Sequence, residues 1–159
     1  MVPRTRYQGA IIRDHQVLLL KQIEHASGRS YWQIPGGRIA PVETEEQCVR
    51  REMREETGLD VQIDSLLLDE PSPSDSIYQC WKTYRCTILS GEALPGSEPE
   101  ADYANAYSFI EVGWFDLRDP ATWDARLGAD SYIAAWLQRI QAVLGYPVAP
   151  GLQEGMEER

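Results

Sequence analysis

Three glutamates, Glu52, Glu55 and Glu56, carry the densest chemistry in the sequence. Their i, i+3, i+4 spacing sends all three from one face of a helix. Carboxylates so close repel one another unless positive charge sits among them. A hard divalent cation supplies that charge, because magnesium prefers carboxylate oxygens and keeps several waters for a phosphate or a nucleophile. An E-x-x-E-E triplet alone is ordinarily a solvated acidic face. This one has two informative neighbours. Pro35-Gly36-Gly37 is turn chemistry, and its glycines let backbone approach a ligand closely. Arg51 precedes the first carboxylate and stands four residues before Glu55, where it can pair with it and fix its rotamer.

The element that must hold these groups is a helix from about Glu43 to Thr57, a stretch without Pro or Gly in which good helix formers dominate. Thr44 with Gln47 three residues on fits a capping box. Gly58 stands where a C-cap glycine belongs, and Leu59 restarts an apolar run. Val49 and Met53 share a neighbouring face suited to packing on a sheet.

Gly37 to Leu59 reads G-x5-E-x7-R-E-U-x-E-E-x-G-U, with U apolar, through Gly37, Glu43, Arg51, Glu52, Met53, Glu55, Glu56, Gly58 and Leu59. This pattern resembles the Nudix box at every fixed position, and Trp32-Gln33-Ile34-Pro35-Gly36 is similar to the lead-in common in that family. The resemblance implies an α/β fold, an α/β/α sandwich with a mixed β-sheet. It also implies magnesium-dependent hydrolysis of a nucleoside diphosphate linked to another group, by water attack on phosphorus, with manganese as a substitute. Carried over position by position, Glu55 and Glu56 are implied metal ligands and Glu52 a ligand or the general base. Gly37 would offer its carbonyl to the metal, and Arg51 would orient a glutamate. Glu43 is implied as a structural partner. Many family members place a further acid upstream of the closing strand; the matching position here is near Ser108. Glu98, Glu100 or Glu111 are candidate replacements, and otherwise the base is a box glutamate such as Glu52. The substrate stays open among a nucleoside triphosphate, ADP-ribose or a nucleotide sugar, and a dinucleoside polyphosphate. A Nudix-fold sensor that binds a nucleotide without hydrolysing it is the alternative, against which the intact box speaks.

The chain has 159 residues, enough for one domain with a real core. The expected domain spans 1–147, with a flexible tail over 148–159. The net charge of −10 disfavours nucleic-acid polymers and anionic membranes as partners and leaves a small phosphorylated nucleotide escorted by a metal compatible. The three cysteines, Cys48, Cys80 and Cys86, form no C-x-x-C and read as buried thiols in a reducing compartment. No long apolar run is present, so the expectation is a soluble cytoplasmic protein, with homodimer formation open.

Along the chain, Arg6 to Ile12 and Gln16 to Gln22 predict a hairpin around Arg13-Asp14-His15. Val17 to Leu20 is continuously apolar, as in a strand covered on both faces. Lys21 ends that run and is either a phosphate contact or an ordinary strand-end cation. Ile23 to Tyr31 reads as a polar loop. Tyr31 and Trp32 follow as core or as a stacking surface for a base, core packing being the plainer reading for Trp32. Val61 to Leu68 predicts a strand, Asp69 to Asp75 a Pro/Ser-rich loop, Ile77 to Leu89 a long strand and Ser90 to Asp102 a flexible acidic loop. Ala106 to Phe115 predicts the closing strand. From Pro120 to Leu144 the pattern is helical, with Ile133, Trp136, Leu137, Ile140, Val143 and Leu144 as the docking face and Gly145 and Pro147 as the stop. His15 and His25 read as surface residues.

Overall fold

The computed structural model describes residues 4–73, 77–97, 105–128 and 131–147. In chain order they form β1 (Thr5–Arg13), β2 (Gln16–Glu24), β3 (Ser30–Gln33), β4 (Gly36–Gly37), α1 (Glu45–Thr57), β5 (Leu59–Pro71), β6 (Cys80–Gly91), β7 (Tyr107–Asp116), α2 (Ala121–Leu127) and α3 (Ser131–Leu144). β1 and β2 meet at Asp14-His15, both with positive φ (51° and 66°), the signs a two-residue type I′ hairpin turn requires. Their pairing covers only Ile12 with Val17 and Arg13 with Gln16. Beyond that the strands part company. β1 runs parallel to β6 from Thr5 opposite Cys80 to Ile11 opposite Cys86, and antiparallel to the short β4. β2 is flanked by β3 and β7, both antiparallel. The single parallel pairing makes the sheet mixed, and the splayed hairpin opens a cleft between its two halves.

Helices cover both faces, which gives the sandwich that the sequence predicts. On one face Val49 and Met53 of α1 pack with Ile11, Leu18, Leu59, Val61 and Cys86, all buried. On the other, Trp136, Leu137 and Ile140 of α3 meet Ala10, Val17, Leu19, Phe115 and Leu117. Leu18 faces one cluster while Val17 and Leu19 face the other, which is why Val17 to Leu20 cannot alternate with polar residues. Each such buried side chain contributes about 1.5–3 kcal/mol. Among the described residues no helix is long and apolar enough to cross a membrane.

The structure departs from the sequence reading in several places. The helical stretch from Pro120 is two helices, broken at Gly128 (φ 57°), whose N–H closes on Asp124 O. Val143 is half exposed, and its expected place in the core face is taken by Gln141, whose Nε2 donates to Leu117 O at 2.7 Å. An apolar residue there would leave that carbonyl unsatisfied. β5 does not end at Leu68 but continues through Asp69, Glu70 and Pro71, because β6 supplies partners as far as Cys80 and Arg139 of α3 holds Glu70. The predicted strand from Ile77 begins only at Cys80. Cys48 and Cys86 are buried as expected, while Cys80, at the start of that strand, is only half-buried. The expected loop between Ile23 and Tyr31 is shorter, since β2 runs to Glu24 and β3 starts at Ser30. The expected tail, 148–159, lies outside the described residues.

Candidate active site

The site begins with how α1 is anchored. Thr44, in extended conformation, accepts the Gln47 N–H on Oγ1 at 3.1 Å, and Gln47 Oε1 accepts the Thr44 N–H at 2.9 Å, so the capping box is formed. Glu45, in the first turn, takes the Tyr84 hydroxyl and the Lys82 ammonium (3.2 Å), tying the helix start to β6. At the other end Gly58 is left-handed (φ 75°) and donates to Arg54 O. A device the sequence did not reveal completes this cap. The N–H groups of Leu94, Gly96 and Ser97 donate to the carbonyls of Thr57, Glu56 and Glu55 at 2.9, 2.8 and 3.3 Å. The final carbonyls of a helix have no partner of their own. Here the loop read as flexible satisfies them and pins the backbone that carries the carboxylates.

Arg51 is the hub of the polar face. Its Nε and Nη2 donate to Glu43 at 2.7 and 3.0 Å, its Nη1 to Glu52 at 3.0 Å and to Glu55 at 3.3 Å, and its Nη2 also to Arg38 O at 3.0 Å. The Glu55 pairing read from the spacing is therefore present, but the bidentate grip is on Glu43. That grip, with the Ala40 N–H donating to Glu43 Oε1, ties the loop to the helix. It also holds the Glu43 carboxyl below its usual pKa, the Arg51 hydrogen bond being the largest cause, and raises that of Arg51 in turn. Cys48, buried beside them, is pushed up to about 12, first by burial and then by Glu52 and Glu43, so it stays a neutral thiol.

Glu52 and Glu56 are 6% and 1% exposed, and the Glu55 side chain is partly exposed at 29%. Glu56 Oε1 accepts the Gly36 N–H at 2.9 Å. A Cβ on Gly37 would stand 2.5 Å from Glu52 Oε1, so only glycine lets that backbone reach the carboxylate. Two buried carboxylates and their neighbour thus meet the Gly36-Gly37 backbone beside the Arg51 guanidinium. Hard oxygens with excess negative charge fit a magnesium-like ion. Among the described residues no three acidic, His or Cys side chains already converge as a metal cage.

These groups stand in the wall of a cavity of about 1250 Å³, which also takes in Lys21, Trp32 and Gly37. The structure therefore brings Lys21, Trp32, Gly37, Arg51, Glu52, Glu55 and Glu56 together in one cavity wall. Trp32 serves as core and wall at once: it is 4% exposed, donates its Nε1 to Arg126 O, and packs edge-on against Phe115. Lys21 Nζ lies 5.7 Å from its ring centre. Glu111 is exposed and not among the cavity-lining residues, Ser108 shares a hydrogen bond with His25, and Glu98 and Glu100 lie outside the described residues. Arg6 and Trp81 also line the cavity. Nothing in the sequence marks them, since only the parallel pairing of β1 with β6 brings them side by side.

The family model described as NUDIX domain matches residues 3–137. Over 108 residues the chain is 29% identical to a Mycobacterium tuberculosis protein provisionally named 8-oxo-dGTP diphosphatase 2, which covers 67% of this chain and 76% of that one. Over 71 residues it is 37% identical to the ADP-ribose pyrophosphatase of Methanocaldococcus jannaschii, covering 45% of this chain and 41% of that one. The crystal structure of a MutT NUDIX hydrolase from Burkholderia pseudomallei is similar at 27% identity and a TM-score of 0.59, covering 88% and 99% of the two chains.

Proposed function

The chain belongs to the Nudix hydrolase family, and on that premise we propose that it is a magnesium-dependent pyrophosphohydrolase of a small nucleotide. The observation that carries this reading is the set of buried carboxylates, Glu52 and Glu56 with Glu55, facing the Gly36-Gly37 edge in the wall of a nucleotide-sized cavity. Members of the family generally need a divalent metal; magnesium, with manganese as substitute, suits this all-oxygen donor set. Glu55, Glu56 and Glu52 would hold it, with the Gly37 carbonyl. When bound, the ion neutralises phosphate charge and acidifies a water.

The chain's own residues do the rest. Glu52, buried beside Arg51, would take the proton of the attacking water. Arg51 keeps Glu52 and Glu55 from turning away, and Glu43 keeps Arg51 in place. Lys21 supplies positive charge for a phosphate, and the Trp32 ring shapes the wall. The substrate class is a nucleoside triphosphate, ADP-ribose or a nucleotide sugar, or a dinucleoside polyphosphate; the names of the two relatives above fall in the first two. With a net charge of −10 and three free thiols, the enzyme works in the cytoplasm on this reading, with no nucleic-acid polymer or membrane as partner.

Glu55→Gln and Glu56→Gln test the assignment. In Glu56→Gln the side-chain amide oxygen can still accept the Gly36 N–H, so the fold should melt as before, while turnover falls by roughly a thousandfold for several kcal/mol of lost charge stabilisation. Near-full activity in either variant overturns the metal assignment. Tight nucleotide binding without turnover in the parent protein would favour the sensor.

A further inference from the structure

His25 stands exposed on the turn between β2 and β3, next to the start of β7. Its backbone N–H donates to Ala106 O at 2.9 Å, its Nδ1 lies 2.8 Å from Asn105 O, and its Nε2 lies 2.7 Å from Ser108 Oγ. A carbonyl only accepts, so in the neutral ring Nδ1 carries the proton and Nε2 is bare. The Ser108 hydroxyl therefore donates to Nε2. Carbonyl, imidazole and hydroxyl in that order are a nucleophile held by a base that a third group orients. Ser108 is itself exposed, and its backbone is set in β7 opposite Ile23, so a fixed Oγ is open to a reagent from solvent. Neither residue lines the cavity that holds Glu52, Glu55 and Glu56, so the pair is a second cluster, apart from the carboxylates.

We propose that Ser108 is an acyl acceptor, modified by an activated acyl donor with His25 as its base. Ser108 Oγ attacks the acyl carbon while His25 Nε2 takes the hydroxyl proton. The Oγ–C bond forms, the bond from that carbon to the leaving oxygen breaks, and the proton passes from Nε2 to the departing oxygen. The product is an ester on Ser108, with the imidazole back in its starting tautomer. The dyad supplies a nucleophile and a base and no more, so the donor must carry a weakly basic leaving group, as an aryl ester or an acyl phosphate does. The step needs no metal and is independent of the nucleotide reading of the cavity.

The test treats the whole chain in EDTA with p-nitrophenyl acetate and follows acetylated peptides by mass spectrometry against time. Ser65 of β5, exposed and far from any histidine in sequence, is the internal reference. Acetyl on Ser108 should build at least about tenfold faster than on Ser65. His25→Gln keeps an amide that can bond Asn105 O or Ser108 but has no base, and should bring Ser108 down to the Ser65 rate. Ser108→Ala should remove the fast label and leave that on Ser65 unchanged. Acetylation of Ser108 no faster than that of Ser65, or an equal Ser108 rate in His25→Gln, overturns the proposal. So does a nitrophenolate burst that Ser108→Ala leaves undiminished, the sign that the imidazole itself is the nucleophile. The comparison with Ser65 is made within the parent protein, so it decides even where a variant loosens the turn.

Discussion

Replacing Glu43 with Gln isolates the pair that fixes the geometry of the acidic face. The carboxylate receives two N–H groups of Arg51 at 2.7 and 3.0 Å and the Ala40 N–H at 2.9 Å, with the Glu43 side chain 13% and the Arg51 side chain 32% exposed. A charge-assisted bond is worth about 1 kcal/mol more than a neutral one, and the Gln amide must turn its own NH₂ towards either Arg51 or Ala40. Allowing for partial solvent screening, the loss comes to about 2 kcal/mol, or roughly 4–8 °C in Tm for a chain of this size. The pH dependence supplies a second signature. Because the folded Glu43 pKa lies below its unfolded value, its contribution is fully present above the usual carboxylate range and fades as pH falls through the lowered value. The parent and Glu43→Gln should therefore differ at neutral pH and converge in acid. Urea unfolding of both proteins in EDTA, from neutral pH down to about pH 3, reads this directly. Equal stability at neutral pH, or a gap that stays constant into acid, would mean that the Glu43 charge does not stabilise the fold through Arg51.

Other perturbations follow from single contacts. Val42 is fully exposed with φ 59°, a left-handed conformation costly for a β-branched side chain, so Val42→Gly should stabilise by about 0.5–1 kcal/mol after the entropy of glycine is subtracted; an unchanged or lower unfolding midpoint would count against it. Gly37→Ala places a methyl 2.5 Å from Glu52 Oε1, and the displaced carboxylate should lower kcat by roughly a hundredfold with little change in melting. Gly96→Ala would bring a Cβ within 1.9 Å of Glu55 O, detaching the capping loop; a loss of about 2 kcal/mol is expected by chemical denaturation, and hydrogen exchange at the α1 C-terminus should speed up.

Much of this was legible because it is local. The capping box at Thr44, the Gly58 cap and the clustering of Glu52, Glu55 and Glu56 all follow from offsets within one helix. The hairpin and the closing strand could likewise be read from runs of β-forming residues. What escaped was set by distant partners. β5 outlasts its own apolar pattern because β6 lies alongside, and Gln141 displaces Val143 from the core because Leu117 offers a carbonyl. The loop at 92–97 looks flexible in composition, yet orphan helix carbonyls give its amides a place to bind. Arg6 and Trp81 carry no signal at all until a parallel strand pair puts them side by side.

Metal-dependent cleavage of a nucleotide anhydride is proposed at the α1 carboxylates. Its most direct test is product release from a panel of nucleoside triphosphates, ADP-ribose, nucleotide sugars and dinucleoside polyphosphates, with magnesium and then with chelator. Turnover of one class that EDTA abolishes and magnesium restores is the predicted result. Turnover indifferent to chelator, or none in the whole panel while nucleotides still raise the melting temperature, would contradict it.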